Sequence, residues 1–274
     1  MSNFIILGDA RTGSSVACEA FESFNSIVNL DDIFSFNYYG LDNIHGGSPN
    51  GHINALFDFE ILELKKIINS KQNIFNYDYN NNEMSHSVLL SQYIHTHPKE
   101  FFECLQQAVT HDFVFKLHVY HFDMTELEWI FDLPDTYFIL LTRDKLAQFV
   151  SDKIANKTKQ WRLKDTSDER VTINPGEFIK FKKQNKLAYQ RYYINELEKR
   201  NISYLSLNYE NDFKDLNSLL QKIQNWATEQ RLSLERNDKA FPRKLVKQSN
   251  TQLEVQITNY SELERFLNLF KNLQ

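Results

Sequence analysis

The chain has 274 residues, 42% of them hydrophobic and 24% charged, with a formal net charge of -5. That length supplies a full hydrophobic core, in one large domain or one with a small appendage, and the acidic balance gives no support for nucleic-acid binding, which calls for a basic face. No charged-then-apolar leader precedes the first apolar run, and no run approaches the roughly 20 residues of a membrane span, so the expectation is a cytoplasmic chain without a membrane span.

The first element is the run Phe4-Ile5-Ile6-Leu7, read as a strand, ending in Gly8 and the loop Asp9-Ala10-Arg11-Thr12-Gly13. A helix rich in small hydroxyl residues follows, starting at Ser14 and Ser15 and running to about residue 25. A strand, a loop and a helix in that order form an anion cradle, because the loop amides and the positive helix end point at one place. The glycine spacing imitates a P-loop, but Ser14 stands where a nucleotide triphosphatase needs its lysine, and the cation sits inside the loop as Arg11.

A short strand or turn is predicted at 26–30, leading to Asp31-Asp32-Ile33-Phe34. Residues 35–55 hold glycines, asparagines, tyrosines and two histidines, which predicts a long loop of the kind that carries function. Helical periodicity covers 56–69 and 88–109, with an exposed, asparagine-rich insertion between them, near 70–87. The two cysteines, Cys18 and Cys104, fall in predicted helices and read as small buried residues, which fits a reducing compartment.

Thr136 to Thr142 is a β-branched and aromatic run, read as a buried strand. It ends in Arg143-Asp144, and a helix follows with Asp144 as N-cap and Leu146, Phe149, Val150 and Ile154 as its apolar stripe. Arg143 at the strand's end and Ser151 eight residues later suit a second phosphate. Beyond a polar run at 162–174 the pattern predicts a long helix at 176–199 and a strand at 202–208. Tyr209 to Phe213 is read as the cap of a helix reaching about 230, then come an irregular charged stretch at 231–256 and a terminal helix at 260–272. Strands alternating with helices predict an α/β fold: a single domain with a central parallel sheet flanked by helices, P-loop-like at its first loop.

Two phosphate sites on one such sheet resemble the sulfotransferases that use 3′-phosphoadenosine 5′-phosphosulfate (PAPS). Arg11-Thr12-Gly13-Ser14-Ser15 resembles the family's 5′-phosphosulfate loop, and Leu141 to Ser151, continuing to Trp161, resembles its 3′-phosphate motif. Phe113-Val114-Phe115-Lys116-Leu117-His118 resembles the central strand, and Lys244 to Ser249 with Ile257 to Leu263 resembles the C-terminal nucleotide-covering segment. The form is most similar to the bacterial branch that includes trehalose and lipopolysaccharide-type sulfotransferases.

The resemblance implies one sulfotransferase domain over 1–274, PAPS as co-substrate without a metal, and a small-molecule or glycan hydroxyl acceptor met by the 35–55 and 70–87 insertions. A homodimer is compatible with it. It implies nucleotide contacts from Arg11, Thr12, Gly13, Ser14, Ser15, Arg143, Ser151 and Lys247, and catalytic roles for Arg11 and for Asp32 as acceptor base. Asp32 stands where the bacterial branch carries a glutamate. Asp31, His45, His52, His118 and His121 remain alternative bases, and Trp161 is read as core more than as a stacking partner. The competing classes are a P-loop kinase or NTPase, which the missing lysine disfavours, and a non-catalytic PAPS-fold binding protein.

Overall fold

Strand β1 (Asn3–Gly8) is buried along its whole length. That marks a central strand covered on both faces, where an unbroken apolar run replaces alternation. It pairs in parallel with β3 (Asp112–His118) on one side and β4 (Thr136–Thr142) on the other. Strand β2 (Ile27–Asp31) extends the sheet beyond β3, and β5 (Tyr204–Asn208) extends it beyond β4. The five strands are all parallel, in the order β2-β3-β1-β4-β5. The computed structural model describes residues 1–34, 58–72, 93–94, 96–118, 128–160, 166–237 and 252–271.

The side chains alternate across the sheet. Phe4, Ile6, Val114, Ile139 and Leu207 pack under α1 (Ser14–Glu22) and α8 (Leu216–Glu229), the latter through Leu219, Ile223 and Trp226. Ile5, Leu7, Phe113, Phe115, Phe138 and Leu140 face α2 (Asp58–Gln72) and α3 (Pro98–Ala108), through Leu64, Ile68, Phe101, Phe102 and Leu105. A third cluster joins α4 (Lys145–Thr158), α5 (Pro175–Tyr189) and α10 (Tyr260–Lys271) through Phe149, Val150, Ile154, Phe178 and Leu263. The predicted stripe of α4 is therefore used, with Asp144 Oδ1 accepting from the Ala147 N–H at 2.8 Å as its N-cap. Cys18 and Cys104 are buried free thiols in helices, as expected.

Local differences from the sequence reading have local causes. The helix predicted at 88–109 restarts at Pro98, whose fixed φ suits a first helical turn. The predicted 176–199 helix is interrupted by a π turn at Gln190–Ile194 before α6 (Asn195–Lys199). Tyr209 to Asp212 form a short helix of their own, α7, and Asp215 caps α8 instead, accepting from the Ser218 N–H at 2.8 Å. The irregular 231–256 stretch ends in a further short helix, α9 (Leu253–Gln256). The 35–55 loop, the 70–87 insertion beyond Gln72, His121, Trp161 and the Lys244–Ser249 segment with Lys247 lie outside the described residues. Among the described residues no helix is long and apolar enough to cross a membrane.

This strand order defines where a ligand would sit. The chain leaves β1 toward β2 on one side and leaves β4 toward β5 on the other. The carboxyl ends of β1 and β4 therefore flank a topological switch point, the crevice where open α/β sheets bind ligands.

Candidate active site

The loop after β1 is a tight, clamped bend. The Thr12 N–H and hydroxyl both donate to the Asp9 carbonyl, at 3.3 and 2.6 Å. Arg11 adopts φ 66, left-handed, and Gly13 φ 90. A non-glycine residue in that region carries strain that persists only where its surroundings impose it. The surroundings here are explicit: Arg143 Nη1 donates to Arg11 O at 2.6 Å, and Gln148 Nε2 donates to Ala10 O at 2.8 Å. Gly13 is the N-cap of α1 and brings no side-chain acceptor to the first-turn amides. A Cβ at Gly13 would stand 2.5 Å from the Tyr209 ring, so only glycine fits.

The loop after β4 faces this bend. Arg11 Nε donates to Ser151 Oγ at 3.0 Å, from the second turn of α4. The Arg143 guanidinium lies 4.3 Å from the centre of the Tyr209 ring, a cation–π contact. Its Nε is 3.6 Å from Glu210 Oε1, and Glu210 Oε2 accepts from the Asp144 N–H at 3.0 Å. Burial works to lower the proton affinity of Arg143, while Tyr209, Glu210 and Asp144 oppose that shift. Arg143 and Ser151 thus converge, as their spacing predicts, but each does so on Arg11, one on its carbonyl and the other on its side chain.

A second cluster lies at the ends of β2 and β3. Lys116 is 3% exposed, and its ammonium donates to Ser15 Oγ at 2.9 Å. The same ammonium pairs with Asp31 Oδ1 at 2.9 Å and Asp32 Oδ2 at 3.5 Å. Asp31 takes φ 43 at the strand end, its N–H donating to Asn29 Oδ1 at 2.8 Å. Asp32, predicted as the base, is therefore tied through Lys116 to the first turn of α1. The sequence reading did not single out Lys116. Its signal was present: a lysine inside an apolar strand run needs a buried partner.

His118, an alternative base, is 2% exposed, and its Nδ1 lies 2.9 Å from Gly8 O. A carbonyl only accepts, so Nδ1 carries a proton. Thr12 and Ser14 are buried, and Ser15 is half-buried. Among the described residues no group of three or more His, Cys, Asp or Glu side chains is arranged to hold a metal ion.

The fold that carries this site is sulfotransferase-like. A sulfotransferase domain from the curacin biosynthetic pathway is similar to it with a TM-score of 0.50 at 13% identity, over 95% of this chain and 86% of that one. No family model matches the chain, and no curated protein matches it with significance.

Proposed function

We propose that this protein is a PAPS-dependent sulfotransferase of the bacterial trehalose/lipopolysaccharide-type branch, moving a sulfuryl group to a hydroxyl of a carbohydrate or glycolipid. The observation that carries this reading is the junction of the two loops at the switch point. Arg143 holds the carbonyl and Ser151 holds the side chain of Arg11, whose left-handed bend opens the uncapped start of α1. Two cations and a run of amides at one crevice suit a ligand with two separate anionic groups. The likeness of fold to a sulfotransferase domain supports the same reading.

In this reading the 5′ side lies on the amides and hydroxyls of Thr12, Gly13, Ser14 and Ser15, and the 3′-phosphate on Arg143 and Ser151. Lys247 would add a contact from outside the described residues. The acceptor oxygen bonds to sulfur, the bond from sulfur to the 5′-phosphate oxygen breaks, and adenosine 3′,5′-bisphosphate leaves. Arg11 offsets the charge that grows on the leaving oxygen, an interaction stronger in the transition state than in the ground state. Asp32 receives the hydroxyl proton, with Lys116 fixing its carboxylate against the start of α1. The 35–55 and 70–87 insertions are the proposed acceptor contacts, their tyrosines supplying rings for sugar faces.

The test is release of adenosine 3′,5′-bisphosphate from PAPS against a panel of sugars and glycolipids. Acceptor-dependent release is expected, with the sulfated product seen by mass. PAPS that remains intact with every acceptor, alongside stabilisation by Mg-ATP, would favour the kinase or NTPase class instead.

A further inference from the structure

Three polar side chains at and beyond the end of α5 reach Gly8, the last residue of β1, or Asp9, the first of its loop. Asn185 Nδ2 donates to Asp9 Oδ2. The Asp9 N–H donates to the Tyr189 hydroxyl oxygen at 2.9 Å. In the π turn, the Tyr193 hydroxyl lies 3.0 Å from Gly8 O and 2.9 Å from Leu117 O. A four-residue spacing places such groups on one helix face, and all three residues are at most 6% exposed.

Asp9 is an odd residue for this loop. It puts a carboxylate two positions before Arg11, the wrong sign beside a site read as an anion cradle. Its oxygens accept from Asn185 Nδ2 and from the Ala10 N–H at 2.9 Å. From α4, Lys145 attracts it and Asp152 repels it. Burial is the largest influence on its proton affinity, which is raised. A carboxylate let go from α5 would still lie beside Lys145 and Asp152 of α4 and would repel an incoming anion.

We propose that Asn185 and Tyr189 are positioning residues for the Arg11 loop: they anchor the Asp9 main chain and carboxylate on α5. This keeps that charge turned from the incoming anion and keeps the left-handed bend in register. The inference rests on reading the loop as an anion cradle. It explains why a strained, non-glycine bend is held from two helices at once, α4 gripping residues 10 and 11 through Gln148 and Ser151 and α5 gripping residue 9.

Hydrogen exchange on the ligand-free full chain tests it directly. Tyr189→Phe removes one oxygen and keeps the ring, and exchange of the Asp9 amide should rise about tenfold while β4 amides stay as in the wild type. Asn185→Ala should weaken binding of inorganic pyrophosphate roughly tenfold through the released carboxylate, and adding Asp9→Asn should restore it. Unchanged loop exchange in a folded Tyr189→Phe protein would overturn the proposal. So would failure of Asp9→Asn to restore pyrophosphate binding to Asn185→Ala. Failure of the sulfotransferase reading looks different: the variants would respond to pyrophosphate as stated while the wild-type chain leaves PAPS intact.

Discussion

The two ends of this crevice hold their cations in opposite ways. At the β1–β4 end, Arg11 and Arg143 spend donors on a hydroxyl and a main-chain carbonyl, and Arg143 meets one carboxylate, Glu210, at 3.6 Å. At the β2–β3 end, Lys116 meets two carboxylates and a serine within 3.5 Å. The first arrangement sets two guanidiniums among Glu210, Asp144 and Asp152, and in the proposed reading it receives the anion. The second neutralises its own lysine and presents carboxylate oxygen. A group-transfer enzyme with an anionic donor and a neutral hydroxyl acceptor needs this polarity, donor at one end and base at the other.

Breaking the acidic end should cost most in rate. Asp32→Asn should lower turnover by roughly 10²–10⁴-fold, the magnitude of a lost general base, while the affinity for adenosine 3′,5′-bisphosphate stays close to wild type. If turnover is normal, the proton goes to Asp31 or to His118. At the basic end, Arg11→Ala should lower kcat by about 10²–10³-fold and change the KM for PAPS far less, because its contact strengthens as charge develops. A change in KM alone would reduce Arg11 to a ground-state ligand.

The remaining variants sharpen the contrast through binding and stability. Arg143→Ala should weaken adenosine 3′,5′-bisphosphate by about 2–3 kcal/mol and leave the analogue without the 3′-phosphate nearly unaffected, as calorimetry would show. Lys116→Met strands Asp31 and Asp32 without their cation, and unfolding by denaturant should show a loss of about 3–5 kcal/mol. The smallest effect concerns Asp9. Burial raises its proton affinity in the folded chain, so its contribution to stability is fully present below the unfolded pKa and is lost as pH rises through the raised folded value. The Tm of Asp9→Asn relative to wild type should therefore be more favourable near about pH 7 than near about pH 4.

Much of this was legible in the residues. The apolar run at 4–7 reads as a strand and the β-branched and aromatic run at 136–142 as a buried strand, and the structure makes them neighbours, with Arg11 and Arg143 in the loops that follow. Asp144 as N-cap and the α4 stripe follow from local chemistry. What stayed hidden depends on contacts far apart in sequence. Lys116 reads as part of a strand until β2 delivers Asp31 and Asp32 beside it. Asn185 and Tyr189 read as an ordinary helix face, because nothing local says that the face meets Asp9, 176 and 180 residues away. The π turn widens a helix that periodicity treats as continuous, so its start at Gln190 has no simple sequence mark.

The central claim is that the β1–β4 crevice clamps a nucleotide with phosphates at both the 5′ and 3′ positions. Calorimetric titration of the wild-type chain with adenosine 3′,5′-bisphosphate, 5′-AMP and Mg-ATP tests it most directly. The account predicts that the bisphosphate binds tighter than 5′-AMP by roughly 30-fold or more, with Mg-ATP weakest. Mg-ATP binding as tightly as the bisphosphate, or no preference for the 3′-phosphate, would contradict it.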